Sequence, residues 1–346
     1  LASSLVELAR EGWVEPVPPQ TRCWPVLVHQ TLALALQHGG VRPSEIRALP
    51  ERVPDFSGIS GREVDELIEH LVGEGYLTRA DGRLLFGERA EQELGRRNFL
   101  ELYAVFSAPA LYHVETRARQ ALGTLEQSFV ERLEDGKSCF VLAGRPWVVV
   151  SVFHKERRVE VEPAPRGRTP TWGGFLPQIL SREVCARIRR LLTEEVDPEY
   201  LDPAARRVLA LLREERAGML QQSRMPLLSG SDVVRALTYA GGRINYTLKT
   251  VLESLHPIRV VADNFEIRVE GSAATREVVE STLRAIAAPG YFDDVERVER
   301  LRAGLPPFRL SKFQPLLPAR YAREVIGRYF LDFEGMAQFA RDVVGS

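Results

Sequence analysis

The sequence predicts an α+β chain: a winged-helix module, then a small β-barrel-like part, then a helical and α/β remainder. Three helical stretches ending in a hairpin signal occupy residues 25–98. Short β-rich runs broken by turns every ~8–12 residues fill 99–178, and helical spacing returns over 179–346. Residues 1–24 read as a short helix followed by a linker.

The first helix ends at Gly12, and the stretch from Pro16 to Pro19 cannot continue it. Val26 to Gln37 is the next helix, stopped by His38-Gly39-Gly40, and Pro43 at a first-turn position opens a short one to Leu49. Ser60 with Glu63 three residues on is a capping box, and the helix it starts aligns Val64, Leu67, Ile68 and Leu71. Tyr76 to Arg79 and Arg83 to Phe86 flank Ala80-Asp81-Gly82, a hairpin turn signal. Strands are predicted at Leu102–Phe106, Leu111–Val114, Cys139–Leu142, Trp147–Val150 and Val159–Glu162. Helices follow over Arg182–Glu195 and Pro203–Gly218, another is capped by Ser231-Asp232, and one more runs from Arg243 to Leu255. Ile258–Ala262 and Phe265–Val269 form a hairpin across Asp263-Asn264, and helices near 274–287, 318–330 and 333–343 close the chain.

Composition narrows the function classes. With 45% hydrophobic and 27% charged residues, the 346-residue chain is globular and long enough for two or three domains. Lys and Arg (46) balance Asp and Glu (47), so no overall field gathers polyanions, and any site for them is a local patch. Only four of the 46 basic residues are lysines; the arginine skew suits phosphate forks and base stacking, and a GC-rich genome produces it too. Cys23, Cys139 and Cys185 form no C-x-x-C pair, which argues against a disulfide framework or zinc site and for a cytoplasmic chain. No apolar run reaches the ~20 residues that span a bilayer, and no signal peptide is expected. The opening at Leu1, already inside an amphipathic pattern, reads as a cut from a longer protein.

No G-x-x-x-x-G-K-[ST] loop, H-E-x-x-H spacing or Gly-x-Ser-x-Gly elbow is present, so no catalytic, metal or ATP site is expected in this sequence. Four segments carry nucleic-acid chemistry instead. Arg96 and Arg97 follow the wing and suit phosphate forks, with an interdomain salt bridge as the competing reading. Arg166 and Arg168 approach Trp172 in a Gly/Pro-rich loop, the pairing base stacking requires, against a packing role for the indole. Gly241-Gly242 open a helix start where Arg243 and Asn245 can reach a phosphate, against a plain helix–helix turn. Lys312 sits in the Leu310–Pro318 stretch, which reads more readily as a surface linker than as a contact.

The winged-helix module, Gly95–Phe106, Leu122–Phe129, Phe140–Trp147, Pro170-Thr-Trp-Gly-Gly174, Tyr239–Asn245 and Asp263-Asn264, in this order, resemble the accessory half of the large helicase-related (Lhr) family of superfamily 2 DNA helicases. The resemblance implies two RecA-like motor domains, in cis or trans, that bind ATP and Mg, with residues 1–24 as the linker helix that leaves the second of them, followed by a winged helix and a β-barrel-containing fourth domain around a tracked single strand. It further implies that Trp172 stacks on a base of that strand. Single-stranded DNA or an RNA–DNA hybrid would be the partner, with no membrane involved and DNA repair or defence as the setting. Two alternatives remain open from the residues: a free-standing winged-helix protein reading duplex DNA through residues 61–72, whose face of Arg62, Glu63, Glu66, Glu69 and His70 is acidic for that task, and a glycosylase-type repair enzyme.

Overall fold

A computed structural model describes residues 1–94, 111–130, 133, 135–164 and 178–345. The predicted strand Leu102–Phe106 lies outside the described residues. The chain divides into two units, Leu1–Val105 with Ile179–Ser346, and Phe106–Gln178.

In the first unit α1 (Ala2–Arg10) precedes α2 (Trp24–Gln37), α3 (Pro43–Arg47), α4 (Leu49–Arg52), α5 (Gly61–Gly73), β1 (Leu77–Ala80), β2 (Arg83–Phe86) and α6 (Glu88–Leu94). Each boundary has a local cause. At the start of α5 the Glu63 backbone N–H donates to Ser60 Oγ, and Ser60 N–H donates to Glu63 Oε2 at 2.9 Å, closing the capping box. Asp81 and Gly82 both take left-handed φ (47° and 69°), which matches the right-handed twist of the β1–β2 hairpin. Val41 pairs with Leu84 and adds a third short rung to the wing.

The same unit continues with α8 (Arg182–Thr193), α9 (Pro203–Leu220), β8 (Leu227–Ser229), β9 (Val233–Leu237), α10 (Gly242–Leu255), β10 (Arg259–Ala262), β11 (Glu266–Glu270), α11 (Arg276–Ala287), α12 (Val295–Ala303), α13 (Ala319–Phe330) and α14 (Phe333–Val344). The antiparallel sheet runs β10-β11-β9-β8 and is covered by α10, α11 and α14 around Leu248, Val251, Ile267, Leu283 and Met336.

One expectation is corrected here. Ser231-Asp232 does not cap a helix: Val233–Leu237 is a strand paired on both sides, with Val234 opposite Val269 and Ala236 opposite Ile267. Its buried Val234 and Ala236 alternate with Arg235, so a period of two overrides the cap signal. Residues 25–94 and 179–345 belong to one compact unit. Phe313, Leu316, Leu317 and Tyr321 belong to the same hydrophobic cluster as Trp24, Leu27, Phe56, Leu67 and Leu71, so the C-terminal part completes the winged-helix core.

The second unit holds β3 (Leu111–Thr116), β4 (Ala121–Glu126), α7 (Gln127–Val130), β5 (Cys139–Leu142), β6 (Arg145–Phe153) and β7 (Arg158–Pro163). They form a curled half-barrel sheet in the order β4-β3-β7-β6-β5, in which only β3 and β7 run parallel. Its core is its own: Tyr112, Val114, Leu125, Phe140, Trp147, Val149, Val159 and Val161.

Candidate nucleic-acid interface

The helix that would enter a DNA groove is α5, and its polar face is engaged inside the protein. Arg22 donates to Glu63 at 2.7 Å and to Glu324 on α13 at 2.6 Å. Trp24 Nε1 donates to Glu324 at 3.1 Å, and its ring stacks on Tyr321 with centroids 3.8 Å apart. Tyr321 in turn donates to Glu66 at 2.8 Å, Arg320 lies 3.2 Å from the same carboxylate, and Arg79 pairs with Glu69.

The charges respond. The Arg22 guanidinium and the Ser60 cap hold the Glu63 carboxyl down at about 2. Burial pushes the Glu324 carboxyl up, and Arg22 with Trp24 reverses this, leaving it below the usual carboxylate range. Burial and the bond to Glu66 push the Tyr321 phenol up. The acidity that argues against α5 as a reader of DNA is thus internal wiring between α5, Arg22 and α13.

The predicted site residues fall in different places. Arg96, Arg97, Arg166, Arg168 and Trp172 lie outside the described residues. Asn245 is fully buried; its Oδ1 accepts from Thr238 Oγ1 at 2.8 Å and its Nδ2 donates to the Asp263 carbonyl at 2.7 Å. Arg243 donates from Nη2 to the carbonyls of Leu331 (2.6 Å) and Arg328 (3.1 Å), capping the C-terminal end of α13. Both side chains thus serve the fold, Asn245 entirely and half-buried Arg243 through its Nη2. The glycines do admit a close approach, but of the chain itself. Gly241, at φ 90°, would place a Cβ 2.9 Å from the Arg182 nitrogen and the Leu180 oxygen, and Gly242 donates its N–H to that oxygen at 3.1 Å.

Lys312 lines a cleft of about 490 Å³ with Tyr76, Arg89, Arg309, Leu94 and Phe313. Arg89 lies over the Tyr76 ring at 4.5 Å and pairs with Glu93 (2.9 Å) and Glu74 (2.8 Å); Arg309 donates to the Lys312 carbonyl at 3.2 Å. Burial, then the hydrogen bond to Glu93, pushes the Tyr76 phenol up to about 12. The sequence leaves this cleft at Leu94 and goes on as Gly95-Arg96-Arg97. Sequence reasoning missed Tyr76 and Arg89, because nothing local marks that the turn before β1, α6 and the stretch before α13 meet.

Residues 7–171 match the family model described as large helicase-related protein, winged helix domain. That match spans just under half of the chain and takes in the winged helix described above. Two solved structures are similar to the chain. One is the Mycobacterium smegmatis helicase Lhr bound to ssDNA and AMP-PNP, at 14% identity and a TM-score of 0.45, covering 99% of this chain and 45% of that one. The other is the DUF1998 helicase MrfA bound to DNA, at 9% identity and a TM-score of 0.24, covering 83% and 38%. The chain thus spans under half the length of either. No curated protein sequence matches it. Among the described residues no helix is long and apolar enough to cross a membrane, and no group of three His, Cys, Asp or Glu residues could hold a metal ion.

Proposed function

We propose that this chain is the nucleic-acid-binding accessory region of an Lhr-type ATP-dependent DNA helicase, guiding a tracked single strand for RecA-like motors that supply ATP and Mg binding. The observation that carries the reading is the Lhr winged helix itself, joined through a shared core to the C-terminal part. Because α5 spends its polar face on Arg22, Arg79, Arg320 and Tyr321, duplex reading through that helix is disfavoured and strand contact belongs to other segments. Arg96 and Arg97, which follow the cleft-lining Leu94 in the sequence, hold backbone phosphates; Arg166 and Arg168 bring the strand to Trp172, whose indole stacks on a base. Stacking reads no sequence, as tracking requires.

Fluorescence anisotropy with a labelled ~12-nucleotide single strand and a matched duplex tests this, since that length exceeds one stacking groove. The chain should prefer the single strand with strong salt dependence, and Trp172→Ala should weaken binding roughly 5- to 150-fold, the worth of one stacked base. Duplex preference untouched by the substitution would remove Trp172 from the mechanism and favour a free-standing winged helix.

A further inference from the structure

A second basic concavity lies on the C-terminal part, beside the start of the Tyr239–Asn245 segment. Its volume is about 560 Å³, and Arg182, Arg189, Arg190 and Arg224 line it against one carboxylate, Asp342. The arginines come from α8 and from the turn after α9. Arg189 is the clamp: it donates to the carbonyls of Leu220 and Ser223, each at 2.6 Å, and to that of Arg224, so it ties off the C-terminal end of α9 and fixes the turn that carries Arg224. Arg182 lies 2.8 Å and Arg224 3.6 Å from the shared Asp342, and Arg190 pairs with Glu194 one turn along. Arg190 and Arg224 keep about 60% of their side chains in solvent. Tyr239, Ala240 and Phe339 make an apolar floor, with Tyr239 held in the left-handed region at φ 47°. Three guanidinium groups, Arg182, Arg190 and Arg224, against one lining carboxylate and over an apolar floor form a receptor for an anion attached to something flat, with Arg189 bracing the turn beneath them.

We propose that this cleft binds a backbone phosphate of the single strand, as a second contact point on the C-terminal part; the inference rests on the function proposed above. Asp342 acts as an internal stand-in for that phosphate, holding Arg182 and Arg224 until the strand arrives.

The test uses the full chain and a labelled ~12-nucleotide oligothymidylate over a salt series. Arg190→Gln with Arg224→Gln should weaken binding about tenfold and make the log–log salt slope shallower by roughly 0.7 for each phosphate that is no longer neutralised. Asp342→Asn should do the reverse and tighten binding severalfold, an effect that damage to the fold does not produce. If wild type binds and Trp172→Ala weakens it, while both the double arginine variant and Asp342→Asn leave affinity and slope unmoved, this inference falls and the proposed function stands. If the arginine variant instead loses only ATP binding, measured by competition with a labelled ATP analogue, the cleft holds a free nucleotide and the inference is overturned. Failure of wild type to bind the oligonucleotide removes both.

Discussion

Arg22, about one-fifth exposed, sits between two carboxylates from opposite ends of the sequence, Glu63 on α5 and Glu324 on α13. Removing one partner of such a buried cluster strands the others' charge, so Glu324→Gln should cost about 2–4 kcal/mol in urea unfolding, more than a surface pair would. The pH dependence has a definite sign. Glu63 ordinarily titrates at 4.5 and here at about 2, so the fold favours its ionised form. That contribution is complete above pH ~4.5 and is lost as the pH falls toward ~2. Glu324 is shifted the same way. Thermal melts of wild type should therefore drop across this acid window, and Glu63→Gln should flatten the drop while lowering the plateau above it. Cys185 makes a separate prediction. Burial pushes its thiol up to about 12, so a thiol reagent at pH 8 should leave it unmodified in native protein and label it once urea is added.

The elements legible in the sequence are those whose signals are local. Ser60 with Glu63 opens α5 where expected, and Asp81-Gly82 turns the wing. The α10 start is legible too, but its chemistry is not: the glycines signal a close approach without saying of what, and the answer, Leu180 to Arg182, lies some sixty residues upstream. Likewise Val233–Leu237 shows its identity only through partners at 227–229 and 266–270, and α12, at Val295–Ala303, offers too few buried residues to stand out, Leu301 being its one fully buried side chain. This difference between local and distant causes can be measured. Ser60→Ala, which removes one cap bond, should cost about 1 kcal/mol. Gly241→Ala meets both a left-handed φ and backbone 2.9 Å away, and should cost more, about 2–3 kcal/mol or upward, read from urea midpoints at constant m-value.

At the scale of the whole molecule, the two units have separate cores, but the first unit's winged helix cannot close its core from its own segment. Phe313 and Tyr321 are almost wholly buried in it, with Leu316 and Leu317 beside them, and Tyr321 also covers Trp24. A module of fewer than a hundred residues has little stability to spare, since small domains bury a smaller fraction of their surface. Residues 20–98 expressed alone would expose the Trp24 ring, leave Arg22 with one carboxylate instead of two, and open the apolar faces that Phe313 and Leu316 fill. Each truncation of a buried aromatic costs about 3–5 kcal/mol, comparable with the entire stability of such a module. The excised segment should consequently melt broadly and far below the full chain by circular dichroism, with poor amide dispersion. In the full chain Phe313→Ala should lower the melting of the winged helix together with that of α13, whose Tyr321 shares its core, and leave the half-barrel of residues 111–163 melting as before. An excised winged helix that melts as sharply and as high as it does in the full chain would show that the helicase-type wing is a self-sufficient module and that its C-terminal cover contributes nothing to its stability.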